Sequence, residues 1–370
     1  MLLIALVLFV LARYHSPQLA GFTAFLAITP GLLISPVAGA LLDRFGRARL
    51  VTIDYLIAAL TGLLLSGLSW LHSLPPALLL AVVFASSLTS PLSNSGARTL
   101  FPVLAPKHLW ERANALDSSG HVIASLLGAP IAGVLVGLLG PEWAIAITSI
   151  GFSAAAVMMS RVHDPIAGDL TRPSIFIDAW HGLRYVLGNA TLRGLALTLS
   201  TFNVSWGVLN IAIPVLVLGR LHQGPAAVGI LWGAMGASGL ISALVVGRID
   251  SRGRERQLIL VAIVISFAAM AVLPFATSIM VVLLVMIVAG LANGPFDIGL
   301  FTLRQRRTDR AWFGRAFAIS MSVNWIGTPI GSALAGPVIA WSLDYALWFA
   351  VFMAAVAAVF PVVTIPARDE

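Results

Sequence analysis

Runs of about 20 apolar residues, broken by short polar segments, recur along the whole 370-residue chain, and a helix needs roughly that length to cross a bilayer core. A chain built this way spans lipid as helices, because an open strand leaves its N–H and C=O groups unpaired in hydrocarbon. Composition agrees. Apolar residues make up 59% and charged residues 10%, where a soluble domain carries about 25% charged residues. Mean hydropathy is +0.97. Twenty-two basic and 15 acidic residues are too few to clothe a soluble fold of this size. A soluble enzyme, a nucleic-acid binder and a disordered chain are all disfavoured. Period-two alternation is absent, which disfavours a β-barrel.

Twelve helical spans are expected near 1–13, 17–42, 49–71, 75–99, 112–139, 143–161, 190–219, 225–248, 256–274, 277–303, 313–340 and 344–364. Placing Arg44, Arg47 and Arg49 in the cytoplasm and alternating from there sets 20 of the 22 Lys and Arg on the cytoplasmic side. Only Arg13 and Arg220 fall outside it. The positive-inside bias then assigns loops 2–3, 4–5, 6–7, 8–9 and 10–11 and the C-terminus to the cytoplasm of a bacterial-type inner membrane. The pI near 10.9 reads as basic loops facing anionic lipid rather than nucleic acid. With no Cys there is no disulfide, zinc-thiolate or thiol nucleophile.

Three segments follow: an N-terminal bundle at 1–160, a cytoplasmic linker at 161–189 and a C-terminal bundle at 190–370. Within the linker, Ile175, Ala179, Leu183 and Val186 recur at helical spacing while Asp178, His181 and Arg184 fall on another face. That is a short amphipathic helix suited to the membrane surface, acting either there or as a spacer alone.

The two bundles repeat. Leu11-Ala12-Arg13-Tyr14-His15 matches Leu218-Gly219-Arg220-Leu221-His222, and Asp43-Arg44-Phe45-Gly46-Arg47 matches Asp250-Ser251-Arg252-Gly253-Arg254, both at an offset of 207. Gly128-Ala129-Pro130-Ile131 matches Gly327-Thr328-Pro329-Ile330 at an offset of 199. A parallel six-helix repeat is a transporter signature. By this repeat the first span lacks its cytoplasmic half. The 12 residues before Arg13 reach only about 18 Å at 1.5 Å per residue. A truncated first helix, with Met1 near mid-membrane, is the expectation, in preference to a signal peptide.

The loop Gly39-Ala40-Leu41-Leu42-Asp43-Arg44-Phe45-Gly46-Arg47-Ala48-Arg49 resembles the signature loop between helices 2 and 3 of the major facilitator superfamily. Ala113-Asn114-Ala115-Leu116 and Gly314-Arg315-Ala316 resemble the drug:proton antiporter branch that includes macrolide efflux pumps and the enterobactin exporter. Two positions depart from that branch. Ala129-Pro130-Ile131-Ala132-Gly133-Val134 lacks both outer glycines of the antiporter motif, and the fourth span has no mid-helix arginine. The resemblance implies an all-α membrane fold of two pseudo-symmetric six-helix bundles. It also implies that Gly39, Asp43, Arg44, Gly46 and Arg47, with Asp250, Gly253 and Arg254, form a conformational latch. In the family this loop meets the start of helix 11, here Trp312-Phe313-Gly314-Arg315.

Polar residues inside the spans are the remaining candidates, since ionisable groups at membrane depth line cavities or pair. Asp54 and Arg98 read as a structural ion pair near the cytoplasmic surface. Asp117 and His121 share one face of the fifth span, where they form either a proton-carrying pair or a capped core histidine. Asp297 lies beside Gly294-Pro295, with Asn293 one turn earlier. It is either a protonation or substrate site or a partner for the basic run Arg304-Gln305-Arg306-Arg307. Asn203, Trp206 and Asn210 fall on one face of the seventh span, with Asn324 and Trp325 in the eleventh. They suit either an amphipathic ligand or hydrogen bonding between helices.

No Walker A loop, HExxH, GxSxG or carboxylate dyad is present, so neither enzymatic chemistry nor direct ATP drive is expected within the chain. The sequence therefore reads as a monomeric secondary transporter without cofactor or metal. Its partners are a small-molecule substrate, protons and membrane lipid, and no nucleic acid. Proton-coupled efflux is the leading expectation. Uptake, lipid-like transport or a transport-dead sensor or scaffold are the alternatives.

Overall fold

The computed structural model describes residues 1–104, 107–162, 175–248, 251–309 and 313–366. Side chains are described within these ranges except at 36, 39, 40, 43, 98, 99, 101–103, 107, 110–116, 118, 119, 121, 122, 125, 175–180 and 313–318. Asp250, Trp312 and the linker stretch 163–174 thus lie outside the described residues, as do the side-chain positions of Gly39, Asp43, Arg98, His121, Asp178, Gly314 and Arg315.

The described residues are helical almost throughout. The helices are α1 (Leu2–Tyr14), α2 (Pro17–Phe45), α3 (Arg47–Trp70), α4 (Pro76–Ser87), α5 (Ser90–Leu104), α6 (Trp110–Leu139), α7 (Pro141–Ser160), α8 (Ile175–Gly188), α9 (Ala190–Val215), α10 (Pro225–Val246), α11 (Glu255–Met270), α12 (Ile279–Arg306), α13 (Phe313–Trp325), α14 (Gly327–Trp341) and α15 (Leu343–Thr364). Among the described residues nine helices are long and apolar enough to span a membrane, and Leu2–Tyr14 and Leu126–Leu139 are shorter apolar helices.

By contact the chain forms two units. One holds Met1–His15 and Phe22–Phe176, the other Ser16–Gly21 and Ile177–Glu370. In the first, α3 packs on α5 and α7, and α1 packs on α6 and α7. Met1 lies against Gly128, well inside α6. In the second, α9 is the hub. It packs on α13, α14 and α15, while α12 packs on α10 and α11. Two thirds of α9's apolar window (67%) is buried, against 33% for α10 and α11, so α9 is largely enclosed by protein while α10 and α11 keep more exposed apolar surface.

The expected repeat is written in the backbone. His15 and His222 both adopt left-handed conformations, with φ of 49° and 50°, at the turns ending α1 and following α9. Gly46 and Gly253 have φ of 90° and 73° at the turns into α3 and α11, where a β-carbon would be strained. Each member of a pair is 207 residues from its counterpart.

The two basic residues that break the charge rule do equivalent jobs. The Arg13 guanidinium donates to the Ser69 carbonyl at the end of α3 (3.0 Å). Arg220 donates to the Pro274 carbonyl beyond α11 (3.2 Å) and pairs with Asp344 in the first turn of α15 (2.6 Å). Both therefore cross to a main-chain carbonyl near the end of another helix, where a cation is favourably placed. Aromatic pairs sit at the same ends, Trp70 with Trp143 (4.8 Å between rings) and Phe275 with Trp348 (5.8 Å). That is the chemistry of a membrane–water interface.

Two spans expected to be continuous are broken. The fourth is split into α4 and α5 around Leu88-Thr89. Pro91 has no N–H for the Ser87 carbonyl, and the Ser90 hydroxyl donates to that carbonyl instead (2.9 Å). The Ser87 and Thr89 hydroxyls likewise bond back to Phe84 (2.8 Å) and Ser86 (3.0 Å), competing with the helical ladder. The eleventh is split into α13 and α14 at Ile326, where Pro329 cannot bond the carbonyl of Trp325.

Candidate functional site

The break between α13 and α14 interrupts the regular bonding of the last α13 carbonyls, and Val323 keeps only a longer bond from the Ile326 N–H (3.3 Å), so that in a membrane these carbonyls call for further protein donors. Two side chains of α9 meet them. The Ser200 hydroxyl donates to the Val323 carbonyl (2.6 Å), and the Asn203 amide donates to the Asn324 carbonyl (2.8 Å). Close packing makes this reach possible. The Ser332 hydroxyl of α14 donates to the Gly207 carbonyl (3.0 Å), and a methyl group on Gly207 would lie 2.9 Å from the Gly331 α-carbon. Asn203 thus serves as a link between helices, one of its two expected roles.

Trp206 belongs to a cluster of rings. It meets Trp232 of α10 (6.1 Å between centroids) and stands edge-on to Phe202 (6.4 Å). Phe202 in turn meets Phe296 of α12 (5.4 Å). Of these four rings only Trp206 is expected from its helical face in the sequence. Trp232 is the lone ring of its span, and Phe296 directly follows Gly294-Pro295. Those positions were the signals available, but their convergence depends on which helices are neighbours.

Asp297 follows Phe296. Gly290 and Gly294 pack on Ser238 and Ser242 of α10, Gly299 packs on α11, and Phe296 points to α9. Leu284, Val288 and Leu291 form the exposed apolar stripe of α12. At about 100° per residue, Asp297 lies roughly 120–180° around the helix from that stripe. Its side chain is nevertheless exposed. Asp297 therefore faces away from lipid, in the angle between α9 and α10, and among the described residues it has no hydrogen-bond or ion-pair partner. Asn293 is half-buried on the same face, against Gly239 of α10.

The basic run, an expected alternative partner for Asp297, is engaged elsewhere. Arg306 pairs with Glu255 in the first turn of α11. Arg307 donates to the Thr191 hydroxyl (3.0 Å) and the Pro366 carbonyl (2.9 Å). Arg304 is buried, with Nη1 2.9 Å from the Met321 sulfur. Among the described residues each of these arginines thus has a partner other than Asp297.

The end of α8 and the cap of α9 are tied into the same end of this unit. The Asn189 amide donates to the Arg307 carbonyl (3.0 Å), and the Tyr185 hydroxyl accepts from the Asp309 N–H (3.1 Å).

Other expected residues are placed as follows. Asn324 is buried, and its side-chain oxygen and nitrogen have no partner among the described residues. Trp325 is exposed and Asn210 half-buried. Asp54 is buried on α3. Its expected partner Arg98, like the His121 expected beside Asp117, has its side chain outside the described residues. Arg44 and Arg254 are exposed, and Arg47 is half-buried. Among the described residues no cluster of His, Cys, Asp or Glu could hold a metal ion.

A family model described as Major Facilitator Superfamily matches residues 1–312 and 195–370. The chain belongs to the major facilitator superfamily. The MFS-type transporter y4rN of Sinorhizobium fredii is 40% identical over 355 residues, 93% of this chain and 85% of that protein. The multidrug efflux pump Tap of Mycobacterium bovis is 25% identical over 340 residues, 89% of this chain and 80% of the pump. Among solved structures, a variant of the nucleoside transporter NupG matches with a TM-score of 0.78 over 98% of this chain and 95% of that one. At 14% identity that likeness concerns the fold alone. The all-α superfamily fold expected from the signature loop is the one present, and the chain is a multi-pass membrane transporter of small molecules. Family and fold are those of transporters rather than enzymes.

Proposed function

We propose that this transporter exports an amphipathic small molecule across the bacterial inner membrane in exchange for protons. The single observation that carries the reading is Asp297, an exposed carboxylate without a partner among the described residues, on the lipid-averted face of α12. A carboxylate at membrane depth is costly unless it works. Export is supported by the likeness to the multidrug efflux pump Tap.

In this reading Asp297 exchanges a proton for the substrate, Asn293 supplies a polar anchor, and the half-buried Trp206, Trp232 and Phe296 rings hold the apolar body, backed by the buried Phe202. Little charge competes nearby. α10 has no ionisable side chain, and α9 has only Arg193 in its first turn. Arg304, two turns further along α12, is turned to Met321 of α13. Asp117 and His121 are the second candidates for the proton path. The two six-helix halves alternate access, and the loops around Asp43 and Asp250 act as the latch on the cytoplasmic side. Accumulation of an amphipathic dye in inside-out vesicles with an acidic lumen tests this. The reading requires accumulation that a K⁺/H⁺ exchanger abolishes.

A further inference from the structure

We infer that the Ser320–Asn324 face of α13 is a conformational spring: it is dry in this conformation, wet in another state of the transport cycle, and biases the protein toward that other state. This rests on the alternating access of the reading above and not on Asp297. Asn324 is 2% exposed, and neither its side-chain oxygen nor its nitrogen has a partner among the described residues. Ser320, four residues earlier and fully buried, carries a hydroxyl in the same condition. Residues four apart share a helix face. The flanks of that face are engaged: Ile319 packs on Val186 and Leu192, and Met321 meets Arg304 of α12. Folded proteins pair nearly all buried polar groups. An amide left unpaired disfavours the conformation that buries it by about fivefold or more in its equilibrium constant. Leucine, of similar size, would carry no such cost. A polar stripe kept dry therefore makes physical sense where the same stripe meets water in a second conformation. Its place on the chain permits the change. Asn324 lies two residues before the break at Ile326, where the regular bonding is already interrupted, so α13 can turn against α14 without giving up further helical bonds. The main chain here is provided for and the side chain is not. The Asn324 carbonyl is held by Asn203 and the Val323 carbonyl by Ser200, while the Asn324 amide is left unpaired among the described residues.

The chain has no cysteine, so Ser320→Cys places a single thiol on this face. The test is labelling of that thiol by a charged, water-soluble methanethiosulfonate in the full chain in nanodiscs, together with thermal melting, each with and without Asn324→Leu. Ala212→Cys, at a fully buried position of α9, gives the rate for a site that stays dry. Ser320→Cys should label faster than Ala212→Cys, because its face is wetted in the other state. Asn324→Leu should raise the melting temperature and slow Ser320→Cys labelling by about fivefold or more, because the dry conformation no longer carries the unpaired amide. Ser320→Cys labelling no faster than Ala212→Cys would show that the face is never wet and overturns the inference. So does an Asn324→Leu variant that melts lower, that fails to yield monodisperse protein, or that labels at Ser320→Cys as fast as its parent. Slowed labelling in Asn324→Leu, with no gradient-driven accumulation by wild type in vesicles, would overturn proton-coupled export and leave the spring standing.

Discussion

The Asn203 amide of α9 donates to the main-chain oxygen of Asn324 in α13 at 2.8 Å, and with Ser200 it holds open the break between α13 and α14. A hydrogen bond between membrane helices is worth about 0.6–1.7 kcal/mol. Asn203→Leu should therefore lower the thermal stability of the purified protein by about 1 kcal/mol, and Ser200→Ala by a similar amount. The two should not add, because they serve adjacent carbonyls of one helix end. Melting curves of the single and double variants in one detergent check this, and additive losses would show the two donors to be independent.

Contact between α9 and α14 depends on the absence of side chains at Gly207 and Gly331. A methyl group on Gly331 would overlap the Val204 carbonyl, and one on Gly207 would press on the Gly331 α-carbon. Gly331→Val should cost about 1–3 kcal/mol, as overpacking usually does, and reduce the yield of monodisperse protein. Gly151→Val, at a position with open space around it, is the control and should fold normally. Size-exclusion profiles of the two variants compare them directly.

Arg220 pairs with the Asp344 carboxylate and donates to the Pro274 carbonyl, and the ion pair is partly exposed. Surface ion pairs contribute about 0–1 kcal/mol. Arg220→Ala should therefore shift the melting temperature slightly, and raising the salt concentration should shrink the difference. Arg13→Ala should do the same through Ser69, with less salt dependence, because its acceptor is a neutral carbonyl.

The latch reading predicts a functional defect without a binding defect. Asp43→Asn would remove the anion offered to a helix N-terminus, and transport should fall while ligand affinity stays near wild type. Unchanged flux in a well-expressed variant would count against the latch.

Much of this architecture was legible because the chain repeats itself. Arg13 and Arg220 stood out as exceptions to the charge rule, and their shared offset already tied them together. Their partners, carbonyls near the ends of other helices, needed the packing. The break at Ser87–Pro91 was legible in principle, since Pro91 cannot serve the Ser87 carbonyl, but an apolar run scored by hydropathy passes over it. Asn203 was found by its position on a face. Its acceptor was hidden, because a carbonyl becomes needy only when its own helix ends. Asp297 stands out in the sequence by its depth, whereas the ring contacts of Trp232 and Phe296 do not, because ring partners on different helices share no spacing in the sequence.

The most direct test of proton-coupled export through Asp297 is gradient-driven dye accumulation in inside-out vesicles carrying wild type or Asp297→Asn at matched amounts. Wild type should accumulate the dye when the lumen is acidic and release it when a K⁺/H⁺ exchanger collapses the gradient. Asp297→Asn should show no response to the gradient while still binding a neutral amphipath. Wild-type accumulation that ignores the gradient, or an Asp297→Asn variant that responds to it as wild type does, would contradict the proposal.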